Sequence, residues 1–395
     1  MKKSNRKGIL IIISNANGWR KPSVFGGAEI ITISLINKIE EIDWYIILPN
    51  QLHNVFVKKF LTNHLHYFPV NTLFTRTNVI KDLLQGLVYT WRCVIIGWKN
   101  RKNFDLIYSA TTSFSDIFPT KIIALITGKP YIVKYHISIY DEPKVLRIYR
   151  NFREEKNSIL DSFIRAILAK IAFIILKKTK NIVIVCNYLG KQLENCGIEK
   201  SKIKLNYNGL DFKELANFKN KNIIKKYDVC YMGRIEKNKG LQDMIEVVGS
   251  LKIKKPNISA VIIGDGSYLE NVKEEIKRSG LESNIIVTGF LGDERYTFLQ
   301  QSKIFVSPTH AMESFGLTLL EALFFDVPII SYTNPAFEEV FGGCESVKLI
   351  SRDINLLQDS ILGLLKKKNT SLFNIDMYSL ENSVIREKNI IFDIM

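Results

Sequence analysis

Two glutamates, Glu313 and Glu321, bracket the sequence ESFGLTLLE. An apolar, β-branched run ending at Ser307 precedes them, followed by Pro308. Leu317, Leu320 and Leu323 have helical spacing, so a helix is expected to start near Phe315 or Gly316. Glu313 then stands just outside the helix N-terminus, and Glu321 about a turn and a half inside it. Eight residues of helix rise about 12 Å, comparable to the span from a sugar to a ribose across a diphosphate. Free N–H groups of the first turn can hold the diphosphate between the two acids. The same acids also suit an ordinary amphipathic helix, whose N-terminus favours negative charge.

A second cluster, GRIEKNKG, spans 233–240 directly after an apolar run. Arg234 stands at the C-terminal end of that expected strand, where open α/β sheets bind ligands. Arg234 and Lys239, around a glycine-punctuated turn, either converge on two phosphates or form a solvated basic loop. Gly264-Asp265-Gly266 gives GxGxxL, which is a dinucleotide fingerprint lacking its third glycine or a plain tight turn. Gly26 and Gly27 open the first long helix, where glycine admits a ligand to the backbone or simply makes the turn. His136 ends a strand-like run; it can donate a hydrogen bond or move a proton at a cleft, or be structural. His64 and His66 form HxH with no third ligand evident, so no metal is assigned.

The elements that must hold these residues read as short β-branched runs alternating with helical patterns. The runs lie at 9–13, 44–48, 105–108, 130–135, 182–186 and 203–206, then at 228–232, 259–263, 284–288, 303–307 and 328–331. Runs this apolar suit strands buried on both faces of a parallel sheet, and alternation with helices makes the architecture α/β. The series occurs twice. Residues 1–207 form one expected domain, the polar basic stretch 208–226 a linker, 227–375 a second domain, and 376–395 a terminal helix.

A chain of 395 residues suggests two or three domains. With 46% hydrophobic and 24% charged residues it is neither disordered nor collagen-like nor a disulfide scaffold. The net charge of +16 is one-sided. Residues 1–207 hold 32 basic and 14 acidic side chains, and residues 208–395 hold 23 and 25. A basic half attracts polyanions, whether nucleic acid or anionic lipid headgroups. Five scattered cysteines without a CxxC fit buried thiols in a reducing compartment. The basic N-terminus imitates a secretion signal, but the apolar run 9–13 is short for one, so a first strand is expected. No apolar stretch reaches the ~20 residues that span a bilayer. The segment 158–178, an apolar helix with Arg165, Lys170, Lys177 and Lys178, either lies on an anionic membrane or packs with a solvated basic face.

Taken together, Gly26-Gly27, His136, Asn208-Gly209-Leu210-Asp211, Gly233-Arg234 with Lys239-Gly240, Gly264-Asp265-Gly266, and the E-x7-E pair Glu313 and Glu321 resemble glycosyltransferase family 4. These are retaining nucleotide-sugar glycosyltransferases of the GT-B fold. The resemblance covers nearly the whole chain and is strongest over 228–331. It implies two Rossmann-like domains facing a cleft, the first for the acceptor and the second for the donor, with the terminal helix crossing back onto the first. It also implies that Arg234 and Lys239 clamp the diphosphate, Glu321 binds the ribose, and Glu313 binds hydroxyls of the transferred sugar. Backbone N–H groups of Phe315, Gly316 and Leu317 would meet sugar and phosphate, and Gly264 would line the donor site. Gly26 and Gly27 would close over the diphosphate, and Gly289 and Phe290 would recognise the base. His136 matches the family's cleft histidine, so His136 and Glu313 are the expected catalytic residues. Two cations and a helix N-terminus would stabilise the departing nucleoside diphosphate, so neither metal nor cofactor is expected.

Some positions depart from the family pattern. Asp326 stands where the family usually has glycine, His310-Ala311-Met312 is an unusual approach to Glu313, and 332–339 lacks the usual glycine-rich segment. These departures leave the donor open, with a UDP- or GDP-sugar favoured. The expected function is transfer of a hexose or N-acetylhexosamine to a glycan or lipid-linked acceptor in surface polysaccharide or glycolipid synthesis. The expected place is the cytoplasmic face of a membrane, reached through the basic N-terminal domain, with no nucleic acid as partner. A sugar-nucleotide epimerase, a non-catalytic sugar-nucleotide-binding subunit and a basic nucleic-acid-binding protein are the alternatives. The last accounts for the charge but not for Arg234, Lys239, Glu313 and Glu321 occurring together.

Overall fold

The β-branched runs become the strands of two parallel sheets. The computed structural model describes residues 6–14, 27–50, 52–53, 62–71, 79–136, 159–366 and 375–395. They divide into two units, one of 1–207 with 382–395, the other of 208–381.

In the first unit the strands are β1 (Lys7–Ile12), β2 (Ile42–Pro49), β3 (Leu65–Val70), β4 (Leu106–Ser109), β5 (Tyr131–Tyr135), β6 (Asn181–Ile184) and β7 (Ile203–Leu205). Their order is β3-β2-β1-β4-β5-β6-β7, parallel throughout. The order reverses between β1 and β4, the point where such sheets bind ligands. Ile9, Leu10, Ile11 and Ile12 of β1 are wholly buried, as a central strand covered on both faces requires. The helices are α1 (Gly27–Asn37), α2 (Val79–Lys99), α3 (Phe114–Thr127), α4 (Ile159–Lys177) and α5 (Asn187–Asn195).

The second unit opens with α6 (Phe212–Ala216). Its strands are β8 (Tyr227–Met232), β9 (Ala260–Ile263), β10 (Ile285–Gly289), β11 (Ser302–Ser307), β12 (Ile329–Tyr332) and β13 (Val347–Ile350). They run in the order β10-β9-β8-β11-β12-β13, again parallel, with the reversal between β8 and β11. The remaining helices are α7 (Leu241–Lys254), α8 (Leu269–Arg278), α9 (Arg295–Gln300), α10 (Leu317–Phe324), α11 (Pro335–Phe341), α12 (Ile354–Leu365) and α13 (Leu380–Ile394).

Three expectations need correction. The stretch 208–226 is no linker but part of the second unit. Leu210 pairs with Ser379, and Phe212 stacks on Phe324 at 5.3 Å. Asn220 N–H donates to Gln300 at 2.8 Å. The terminal helix begins at Leu380, after a short turn at 376–378, rather than at 376. Strands β3 and β13 were not expected; both are sheet edges, and His66, Pro69 and Lys348 dilute their apolar signal. Asp326 adopts the left-handed φ of 56° that glycine favours, and its carboxylate pairs with Lys219 at 2.7 Å.

Within the first unit α13 is fastened by a buried polar knot. Glu387, wholly buried, accepts from Lys134 at 3.3 Å, from Asn206 at 2.5 Å and from Tyr108. Asn206 also donates to the carbonyl of Ser383 at 3.0 Å.

Candidate active site

The loops after β8, β9 and β11 are laced together by backbone. Gly233 N–H donates to Ile263 at 3.0 Å and Gly264 N–H to Gly289 at 3.0 Å. Ile235 N–H reaches Asp265 at 2.9 Å, and His310 N–H reaches Asn238 at 2.9 Å. A Cβ on Gly264 would lie 1.9 Å from the carbonyl oxygen of Gly233, and one on Gly266 would lie 2.1 Å from that of Ile235. This pair of glycines therefore serves chain-on-chain packing, which is the tight-turn reading.

Lys239 ends a short turn that Gly240 closes at φ 69°. Its ammonium meets Glu313 at 2.5 Å, and Thr309 Oγ1 donates to the same carboxylate oxygen at 3.3 Å. Both side chains of the ion pair are largely buried, at 14% and 26% exposure. Cation and acid thus lie side by side at the reversal between β8 and β11. Arg234 is half-exposed on the same loop and pairs with Glu236 at 2.8 Å.

Gly316 caps α10 at φ 91°, close under the Phe337 ring. Phe315 is buried and meets Tyr378 edge-on at 5.6 Å. Leu317 is the first residue of α10; the N–H groups of Leu319 and Leu320 donate to the Gly316 carbonyl at 3.0 and 3.1 Å, and a helix N-terminus of this kind favours an anion. Four residues on, Glu321 turns its buried carboxylate to Tyr296 OH at 3.0 Å and Arg295 at 3.4 Å. Burial raises its pKa, and Arg295 and Tyr296 pull the other way. Gly289 (φ 74°) ends β10, and the Phe290 ring beyond it is 68% exposed.

Sequence reasoning missed the groups that hold this machinery. Asp243 accepts from Tyr332 OH at 2.8 Å and meets His310 Nε2 at 2.9 Å, which steadies the approach to Glu313. Arg295, stacked 4.1 Å over Tyr296, steadies Glu321. His310 and Tyr332 carried a signal, each within a segment that departs from the family pattern.

In the first unit Gly27 opens α1, and Gly26 lies outside the described residues. His136 directly follows β5. It is buried, among the described residues its Nε2 has no hydrogen-bond partner, and burial with the Lys134 charge holds its pKa well below the usual value, so the imidazole is neutral. At the reversal between β1 and β4, Asp116 accepts from Ser14 N–H at 2.6 Å and from Thr111 at 2.5 Å. Among the described residues, no group of three His, Cys, Asp or Glu could hold a metal.

Comparison with known proteins bears on this geometry. Residues 212–371 match the family described as glycosyl transferases group 1. A 2-deoxystreptamine N-acetyl-D-glucosaminyltransferase of Niallia circulans is 32% identical over 128 residues, 32% of this chain and 33% of that protein. The O-antigen biosynthesis glycosyltransferase WclY of Escherichia coli is 28% identical over 151 residues, 36% of this chain and 41% of its own. The matches therefore span well under half of these relatives. HepE of Anabaena, solved with UDP and glucose, superposes over 98% of this chain and 100% of its own, with TM-score 0.73 and 14% identity. That likeness is one of fold.

Proposed function

We propose that the protein transfers a sugar from a nucleoside-diphosphate donor, a reading supported by the match of residues 212–371 to glycosyl transferases group 1 and by the GT-B fold of the chain. The observation that carries the reading is the Lys239–Glu313 pair beside the N-terminus of α10, at the reversal of the second sheet. A sugar diphosphate offers what this pair lacks. Its hydroxyls donate to the Glu313 carboxylate, and its phosphate oxygens accept from Lys239, Arg234 and the first-turn N–H groups of α10. As the anomeric bond breaks, negative charge grows on the leaving diphosphate, and these donors stabilise it. No metal is needed in this scheme. Glu321 takes the ribose hydroxyls, and the exposed Phe290 ring lies open to a planar base.

The first unit is the acceptor side in this reading, where a neutral His136 accepts or donates a hydrogen bond without adding charge. The transferred group is a hexose or N-acetylhexosamine, its configuration retained, and the acceptor is a glycan or a lipid-linked sugar of a surface polysaccharide. The names of the N. circulans and E. coli relatives support sugar transfer, and the UDP and glucose bound to HepE make UDP-sugars the first donors to try.

The test is nucleoside diphosphate release from a panel of UDP-, GDP- and ADP-sugars, with and without a chelator. Release from one donor, insensitive to the chelator and lost in Glu313→Ala, is the expected result. Failure of every donor to bind would sink the proposal.

A further inference from the structure

Helix α2 is apolar on both sides. Tyr89 and Cys93 are buried against the first sheet with Leu10, Ile47 and Ile107. Leu84, Leu87, Trp91, Ile95 and Trp98 are all exposed, Trp91 by 67% and Trp98 by 46%. At 100° per residue these five fall within an arc of about 80°, and they run about 21 Å along the helix. α2 packs on α3 and α3 on α4, and Leu125 of α3 and Phe163 and Ile167 of α4 are exposed as well. An apolar stripe with two tryptophans facing outward is costly in water unless something covers it.

The rim of the stripe says what covers it. Arg101 stacks on the Trp98 ring at 4.1 Å, and Lys99 and Lys102 lie exposed beside it. On α4, Lys170 and Lys177 are exposed, and Lys178 follows. Acids are scarce: Asp82 and Asp161 are the sole acidic residues of α2 and α4, and Asp116, the sole one of α3, is buried. No described helix is long and apolar enough to cross a bilayer. We propose that α2, with the adjoining faces of α3 and α4, lies on a bilayer carrying anionic lipid, with Trp91 and Trp98 seated at its interface. Tryptophan favours that depth, and Lys and Arg around an apolar face are drawn to acidic headgroups. A second copy of this chain fits worse, because docking stripe on stripe would oppose two basic rims. The inference rests on the first unit alone and is independent of the sugar-transfer reading.

The test is flotation of the full chain with vesicles of phosphatidylcholine carrying phosphatidylglycerol, and with phosphatidylcholine alone. Flotation on the anionic vesicles, weakened by salt, is expected. Trp91→Ser with Trp98→Ser should cut partitioning by about tenfold or more, because two large apolar side chains no longer leave water. Both positions are exposed, so the variant should melt like the parent. No flotation on anionic vesicles would overturn the proposal, as would equal flotation on neutral ones. So would undiminished flotation of the double variant, or a dimer by light scattering that the two substitutions abolish.

Discussion

Tyr296 OH holds the Glu321 carboxylate from one side and Arg295 from another, in a place where burial alone favours the protonated acid. Tyr296→Phe removes one donor to a charged group, a loss of about 1.5–3 kcal/mol, and raises the Glu321 pKa further. UDP binding that needs ionised Glu321 should then weaken, and its fall at acid pH should begin at higher pH than in the parent. Calorimetric titration across pH checks this; an unmoved acid limb would mean that Glu321 does not meet the nucleotide. Asp116 shows the same balance, with burial again outweighing its hydrogen bonds and pushing its carboxyl up to about 6. The folded chain therefore binds this proton more tightly than the unfolded chain, whose Asp titrates near 3.9. The destabilisation is absent below that value, grows as pH rises through about 6, and then stays constant. Asp116→Asn should remove that fall and add up to about 3 kcal/mol at neutral pH, measured by urea unfolding at several pH values. At this scale the sequence showed Lys239, Glu313 and Glu321 by spacing along the chain. Asp243 and Tyr296 escaped notice because their partners come from other loops, and no spacing records that.

The knot on α13 puts a similar contrast at the level of elements. Lys134 on β5 and Glu387 on α13 are both buried, so Glu387→Ala leaves an ammonium without its acid. The cost should be about 3–5 kcal/mol, while Lys134→Met with Glu387→Leu should recover most of it. Urea unfolding of the single and double variants decides; equal stability of the two would mean that the loss lies with Tyr108 and Asn206. Central strands such as β1, β4 and β8 were legible because burial on both faces leaves an unbroken apolar run. The edge strands β3 and β13 carry polar residues on their open side and lost that signal. Helix α2 drew no notice in the sequence, since nothing in its pattern says that one apolar face points to solvent.

For the whole molecule, the division into units is uneven in the chain. The second unit is one continuous stretch, 208–381, whereas the first needs residues 382–395. A fragment of 208–381 should unfold in one cooperative transition and bind UDP, since Lys239, Glu313 and Glu321 all lie in it. A fragment of 1–207 should be poorly folded until a peptide covering 380–395 supplies Glu387. Circular dichroism melts of the two fragments, with and without the peptide, would test both statements. The charge asymmetry follows the same division, because the excess of basic residues belongs to 1–207.

The buried Lys134–Glu387 pair also sets an order of events on the ribosome. At about 5–20 residues per second, roughly 10–40 s separate the emergence of Tyr207 from that of the last helix. The later unit can finish folding in that interval, while the earlier one waits with an unmatched lysine. The first unit can therefore complete its buried polar knot only after α13 has been translated.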